Sequence, residues 1–290
     1  MHARAVAVTT AALLGATVLS PTSEVRAAAA VERPLVVAHR GACAYAPENT
    51  LPAVDKAAGM GFSWMENDVQ RTKDGELVVL HDDSLRRTTD VEKVFPGRAP
   101  WKVKDFTAAE IARLDAGSWF SPAYAGTRVP TLDQYMRRIE HNHEKLLLEI
   151  KNPELYPGIE QQTLKVLGRD GWLDHRHLAG RLIVQSFSAD SVRTVHRLAP
   201  AVTTAFLGRP ATADLKRYAG FTDMINPSYG TIRADYVSAV HKVTGPHGKR
   251  LKVLTWTVDD AAHARTVAGY RVDGIISDRP DVVRAALKDS

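Results

Sequence analysis

The chain has 290 residues, 44% of them hydrophobic and 24% charged, with a net charge of +5. These proportions exclude a disordered protein, a collagen-like repeat and a small disulfide scaffold, and the length suits two small domains or one large α/β barrel. The basic excess is mild and spread along the chain, which fits a small anionic ligand or an anionic surface and argues against nucleic-acid binding.

Arg4 precedes an uncharged run over 5–20 (AVAVTTAALLGATVLS), followed by PTSEVR and the small residues 27–30. A positive start, a short apolar stretch and a small-residue exit predict a secretory signal peptide over residues 1–30, cut near Ala28 to Ala30. A membrane anchor fits less well, because the run falls short of the ~20 apolar residues that span a bilayer. No twin-arginine pair precedes the run and no cysteine stands at its exit, so general secretion without lipid attachment is expected. The mature chain, 31–290, is then a secreted single domain with no stable membrane insertion. Loss of Arg4, Arg26 and Glu24 leaves it at +4 instead of +5. Cys43 is the only cysteine, so no intrachain disulfide is available and stability must come from a large buried core.

Beyond the signal, β-branched and aliphatic runs recur at 35–39, 63–69, 146–150, 182–185, 202–206, 222–225, 251–256 and 273–277. Helical periodicity separates them at 49–60, 131–143, 158–167, 189–198 and 259–268. This alternation predicts βαβ units and a parallel sheet. A further strand at 76–80 follows the turn sequence Lys73-Asp74-Gly75 too closely for a parallel crossover, so it must pair as a hairpin. Eight parallel strands remain, the number that closes a (β/α)8 TIM barrel. The interval 82–130, between the second and third barrel strands, is too long for a simple loop. Its aromatic residues (Phe95, Trp101, Phe106, Trp119, Phe120, Tyr124) and a short helical piece near 108–114 predict a small insertion lobe over the barrel mouth.

In such barrels the C-terminal strand ends line the active site. Here the first strand ends in His39-Arg40-Gly41, the second carries Glu66-Asn67-Asp68, the hairpin ends in His81-Asp82, and the third barrel strand ends in Glu149-Ile150-Lys151. Strand alternation puts Glu66 and Asp68 on one face, and likewise Glu149 and Lys151. Three inward carboxylates repel one another unless a cation neutralises them, and oxygen-only ligands suit Ca²⁺ or Mg²⁺ better than zinc. Histidine is the side-chain type that exchanges a proton near neutral pH, which makes His39 and His81 candidate acid–base groups. Arg40 and Lys151 offer charge to a phosphoryl oxygen. The other nine histidines fall mostly in polar or helical stretches, with His141 and His143 placed on one helix, and are read as structural.

The strings HRG (39–41), PENT (47–50), ENDVQRTKDGELVVLHD (66–82), LEIK (148–151), QSF (185–187), TWTV (255–258) and DGIISDRP (273–280) run in order along the mature chain. Together they resemble the glycerophosphodiester phosphodiesterase family. The resemblance implies a barrel enzyme that splits deacylated phospholipids into glycerol 3-phosphate and an alcohol. By position, His39 and His81 match the catalytic histidines, and Glu66, Asp68 and Glu149 the ligands of one divalent cation, with Ca²⁺ slightly preferred over Mg²⁺ for a secreted enzyme. Arg40 and Lys151 match phosphate contacts, and Phe187 and Trp256 aromatic residues of the pocket wall. Family precedent has the glycerol 2-hydroxyl attack first, giving a cyclic phosphodiester that water then opens. Asn67 stands where many members carry an aliphatic residue and should point away from the pocket.

Some positions stay open on sequence alone. Asn49 suits a helix N-cap or a ligand contact, and Glu48 a metal site or a helix N-terminus. Gln185 faces inward. A lysophospholipase D or a hydrolase of glycerol-phosphate polymers of the teichoic acid type would use the same site. A noncatalytic barrel would have lost a histidine or carboxylate, and a metal-free phospholipase would lack the carboxylate trio. Neither GxSxG, GxGxxG nor GxxxxGK[ST] occurs, which removes the usual serine-hydrolase and nucleotide fingerprints. The oligomeric state is not encoded in any motif.

Overall fold

Nine short strands carry the fold. They are β1 (Leu35–Ala38), β2 (Trp64–Arg71), β3 (Leu77–Val79), β4 (Lys145–Ile150), β5 (Leu182–Ser186), β6 (Thr203–Leu207), β7 (Met224–Asn226), β8 (Lys252–Thr255) and β9 (Gly274–Ser277) in this computed structural model. It describes residues 1–7 and 33–288, so the signal peptide read over 1–30 lies, from residue 8 onward, outside the described residues. The chain divides into Met1–Glu32 and Arg33–Ser290, and every element below belongs to the second unit. No helix among the described residues is long and apolar enough to cross a membrane.

The sheet runs β1-β9-β8-β7-β6-β5-β4-β2-β3, and a further pairing of β1 with β2 closes it. Apart from β3, all neighbours are parallel, so eight strands make a (β/α)8 barrel. β3 lies antiparallel on β2, with Val69 opposite Val79. The expected hairpin is therefore present, with β2 running two residues past 69.

Local chemistry explains most helix boundaries. The helix expected over 49–60 spans Leu51–Gly59, and Thr50 caps it by accepting from the Ala53 N–H. Leu132–His141 starts on a capping box made by Thr131 and Gln134. Ala189–Leu198 has its cap in Ser188, and Ala261–Gly269 in Asp260. One expectation needs correcting: His143 is not on the helix of His141. The chain turns at Asn142, and His143 sits at φ +58°. The helices Ala234–His241 and Pro280–Lys288 were not foreseen.

Two apolar layers follow from strand alternation. Outward residues such as Met65, Val69, Leu146, Leu148 and Val184 pack under the helices. Inward residues Val37, Trp64, Leu147, Ile183, Ala205, Met224, Leu254 and Ile276 fill the barrel. Truncating one of them, for example Leu147→Ala, would cost about 2–5 kcal/mol. Within 82–130, Leu85, Val91, Val103, Phe106, Ile111 and Leu114 form a separate apolar cluster with Val78 and Leu80 of the hairpin. Phe95 meets Phe106 edge-on at 5.3 Å, and the Arg98 guanidinium covers Phe106 at 3.9 Å. Trp119, by contrast, stays 40% exposed.

Candidate active site

One pleat beyond the inner apolar layer, the side chains become polar. Two residues on from Val37 stands His39. The same step leads from Trp64 to Glu66, Leu147 to Glu149, Ile183 to Gln185, Met224 to Asn226, Leu254 to Trp256 and Ile276 to Asp278. Asp68 follows Glu66 by one more pleat. A period of two turns a dry plug into a polar floor within about 7 Å of strand. The cleft above it is lined by His39, Arg40, Glu66, His81, Glu149 and Lys151, with Phe187 and Trp256 among the wall residues.

Three carboxylates converge at the centre. Glu66, Asp68 and Glu149 are buried and offer oxygen atoms within 4.8 Å of one another. Burial, with the Asp68 and Glu149 charges, pushes the Glu66 carboxyl well above the usual carboxylate range. Burial and Asp68 push Glu149 up to about 8. Burial would raise Asp68 too, but the charges of Arg40 and Lys151 outweigh it and hold Asp68 low. The Asp68 Oδ1 atom is buried and accepts no hydrogen bond. Lys151 Nζ reaches Glu149 at 2.8 Å but stands 3.7 Å from that oxygen. A buried carboxylate oxygen without a partner, among three such groups, fits a hard divalent cation bound by Glu66, Asp68 and Glu149.

The two imidazoles are held alike. His39 Nδ1 lies 2.5 Å from Asp278 Oδ1, and His81 Nδ1 lies 2.7 Å from Asp82 Oδ1. An ionised carboxylate only accepts, so both Nδ1 atoms carry the proton and both Nε2 atoms are left for chemistry. His39 Nε2 is 3.9 Å from Glu66 Oε2. Burial opposes ionisation of Asp278, yet its bond with His39 keeps the carboxyl below its usual range. Asp82 is also held low, first by His81 and then, against its burial, by Arg87.

Arg40 sits at φ +52°, a left-handed conformation that costs a non-glycine residue about 1–3 kcal/mol. That turn aims its N–H at Glu66 Oε2, 3.0 Å away. Gly41 follows at φ +79°, where a Cβ would come 2.7 Å from the Ala53 backbone, so the loop can lie on its helix only with glycine there. The Arg40 guanidinium donates to Glu48 at 2.9 Å, and Glu48 in turn takes two bonds from Arg87. Arg87 also grips Asp82. Glu48 therefore does not join the carboxylate trio. It ties Arg40 to the partner of His81. Asn49 is not the cap either: its amide donates to Asp68 Oδ2 at 2.8 Å, and its oxygen accepts the Asp68 N–H.

Residues 39–282 match the glycerophosphoryl diester phosphodiesterase family. The chain belongs to this family. It is similar to a glycerophosphodiester phosphodiesterase of Bacillus subtilis (33% identical, covering 89% of this chain and 87% of that one). It is also similar to one of Caldanaerobacter subterraneus (34% identical, covering 86% and 96%). Among solved structures, it resembles an Oleispira antarctica phosphodiesterase in complex with the product sn-glycerol-3-phosphate, at TM-score 0.72 and 28% identity over 89% of this chain and 98% of that one.

Within this phosphodiesterase fold, all nine residues singled out from the sequence line one cleft or its immediate floor. Phe187 and Trp256 meet edge-on at 5.5 Å, and Lys151 Nζ lies 5.3 Å from the Phe187 ring. Asn67 is fully buried and outside the cleft lining. Sequence reasoning passed over Asp278 and Arg87. Asn226 donates to Gln185 Oε1 at 3.0 Å, and Gln185 reaches toward Glu66 at 3.5 Å. Alternation from Ile276 and Met224 points to Asp278 and Asn226 by the rule that found Glu66. Arg87 carries no such signal.

Proposed function

We propose that this family member hydrolyses glycerophosphodiesters to glycerol 3-phosphate and an alcohol, using His39 and His81 for proton transfer and one divalent cation, Ca²⁺ or Mg²⁺, held by Glu66, Asp68 and Glu149. The observation that carries this reading is the pairing, in one cleft, of a buried carboxylate trio holding an unpartnered oxygen with two imidazoles whose free nitrogens are both Nε2. When bound, such an ion supplies positive charge to a phosphoryl oxygen.

Charge counting supports a monoanionic substrate. Three ionised carboxylates against Arg40 and Lys151 leave one negative charge, and a divalent ion turns this to one positive. Arg40 and Lys151 hold carboxylates at the floor and can turn a share of their donors to phosphate oxygens. Phe187 and Trp256 give the substrate an apolar wall. One Nε2 accepts the proton of the glycerol 2-hydroxyl as that oxygen bonds to phosphorus, while the other ring, entering the step with a second proton on its Nε2, gives that proton to the departing alkoxide. With water as nucleophile the roles reverse, the ring opens and glycerol 3-phosphate is released. The run 5–20 supports action after export.

The test is release of glycerol 3-phosphate from glycerophosphocholine and related diesters, beside lysolipid and glycerol-phosphate polymer, with Ca²⁺, Mg²⁺ or chelator. Cation-dependent turnover of the small diesters is expected. His39→Asn and His81→Asn should each lose about 10²-fold or more with the melting point retained. Chelator-insensitive turnover, or near-parental turnover in both variants, refutes the reading.

A further inference from the structure

We propose that Cys43, His39 and Asp278 form a second cation site, which takes a borderline-soft divalent ion such as Zn²⁺ and thereby silences the enzyme. The thiol sulfur, an imidazole nitrogen and a carboxylate oxygen of these three residues lie within 4.8 Å of one another, with Asp278 at His39 Nδ1 and Glu66 of the trio near the opposite nitrogen, Nε2. Three separate pieces of chain build the cluster. His39 follows β1, Cys43 lies past the Gly41 turn, and Asp278 follows β9. The backbone fixes their meeting, because the Ala44 N–H donates to the Asp278 carbonyl at 3.3 Å and the His39 N–H to the Ser277 carbonyl at 2.9 Å.

The donor set decides the ion. The trio offers oxygen only and suits a hard cation, whereas sulfur, nitrogen and oxygen together suit zinc. Tetrahedral bonds of about 2.0–2.3 Å place donors roughly 3.3–3.8 Å apart, so side-chain shifts on the order of 1 Å assemble the site. Cys43 is half-buried and the Asp278 side chain 38% exposed, which leaves a path for the ion and a fourth position for water. Without an ion, burial and then the Asp278 carboxylate keep the thiol protonated, far above its usual range. A coordinated dication reverses that balance, since a ligating thiol gives up its proton, here to solvent.

Silencing follows from proton bookkeeping on the ring and rests on the proton-carrying role proposed for His39, although the site itself does not. With Nδ1 bonded to the ion, the ring's one proton must sit on Nε2. That nitrogen then cannot accept a proton, and the hydrogen bond to Asp278 is gone.

The experiment uses the mature protein with saturating Mg²⁺. Zn²⁺ should inhibit the parent in a way that added Mg²⁺ does not relieve. Cys43→Ser should keep its Mg²⁺-supported turnover and require at least about tenfold more Zn²⁺, the loss in affinity that even an outer partner of a metal ligand typically causes. Co²⁺ gives a reading independent of turnover: a thiolate-to-cobalt charge-transfer band in the parent, absent from Cys43→Ser and from Cys43→Ala. Equal Zn²⁺ sensitivity of parent and variant, or no thiolate band in the parent, overturns the proposal. A band in a protein without diesterase activity would uphold the site and reject the catalytic reading instead.

Discussion

Asp278→Asn isolates what a carboxylate behind His39 does. The exchange keeps the side chain's shape, and the backbone bonds of residue 278, including its N–H to Asp259 at 2.8 Å, are untouched. What is lost is a charge-assisted bond of 2.5 Å to Nδ1. Bonds to charged groups contribute about 1.5–3 kcal/mol, and the 38% exposure of the Asp278 side chain puts this one toward the lower end through solvent screening. If the imidazolium forms only during turnover, that energy appears in the barrel's chemistry as a fall in kcat of roughly ten- to a hundredfold. An asparagine amide can also donate to Nδ1 and move the ring proton to Nε2, which adds to the loss. The assay is steady-state release of glycerol 3-phosphate at saturating cation, with KM, cation affinity and melting temperature measured alongside. The expected pattern is a lower kcat with the other three nearly unchanged. A kcat within about twofold of the parent, or a loss that tracks a lower melting temperature, would refute the orienting role.

Glu66→Gln should weaken Ca²⁺ and Mg²⁺ binding by at least about tenfold, read by calorimetry, because one of three anionic donors is gone. Arg87→Gln takes one cationic partner from both Asp82 and Glu48, so kcat should fall by several-fold while the cation affinity holds; titrating turnover against Mg²⁺ separates the two. Glu144, whose carboxylate is buried, has its pKa pushed up to about 8 by that burial. Its folded form binds the proton more tightly than the unfolded chain. The contribution of Glu144 to stability is therefore greatest at acid pH and falls as pH rises from about 4.5 to about 8, by up to roughly 1.4 kcal/mol per pH unit. Glu144→Gln should remove that slope in melting scans. A parallel decline in parent and variant would place its cause elsewhere.

The barrel was legible because each strand announces itself as a short β-branched run between helical periods, and the count of eight follows once the 76–80 hairpin is set aside. The carboxylate trio was legible for a related reason: alternation alone puts Glu66, Asp68 and Glu149 on inward positions. Asp278 obeys the same alternation and was missed because it stands one residue past the strand read over 273–277, inside a string to which no site role was given. The Glu48–Arg87–Asp82 chain lies beyond such rules. Its members sit in irregular backbone, 39 residues separate Glu48 from Arg87, and no period relates them. Asn49 was hidden similarly, since its left-handed φ of +59° and its bond to Asp68 depend on tertiary placement. His143 illustrates the limit of periodicity at a helix end, where a turn residue decides the boundary.

The barrel's closing seam has a consequence of its own. β1 and β2 share a single register pair, Ala38 with Met65, whereas β2 and β4 share six. His39 and Arg40 stand on one lip of this seam and Glu66 on the other, joined by the Arg40 N–H. A cation gripped by Glu66, next to that lip, would act as a rivet where the cylinder is thinnest. Amide exchange along β1 should therefore slow when Ca²⁺ or Mg²⁺ is added, and ion release would let the cylinder loosen first beside its own active centre.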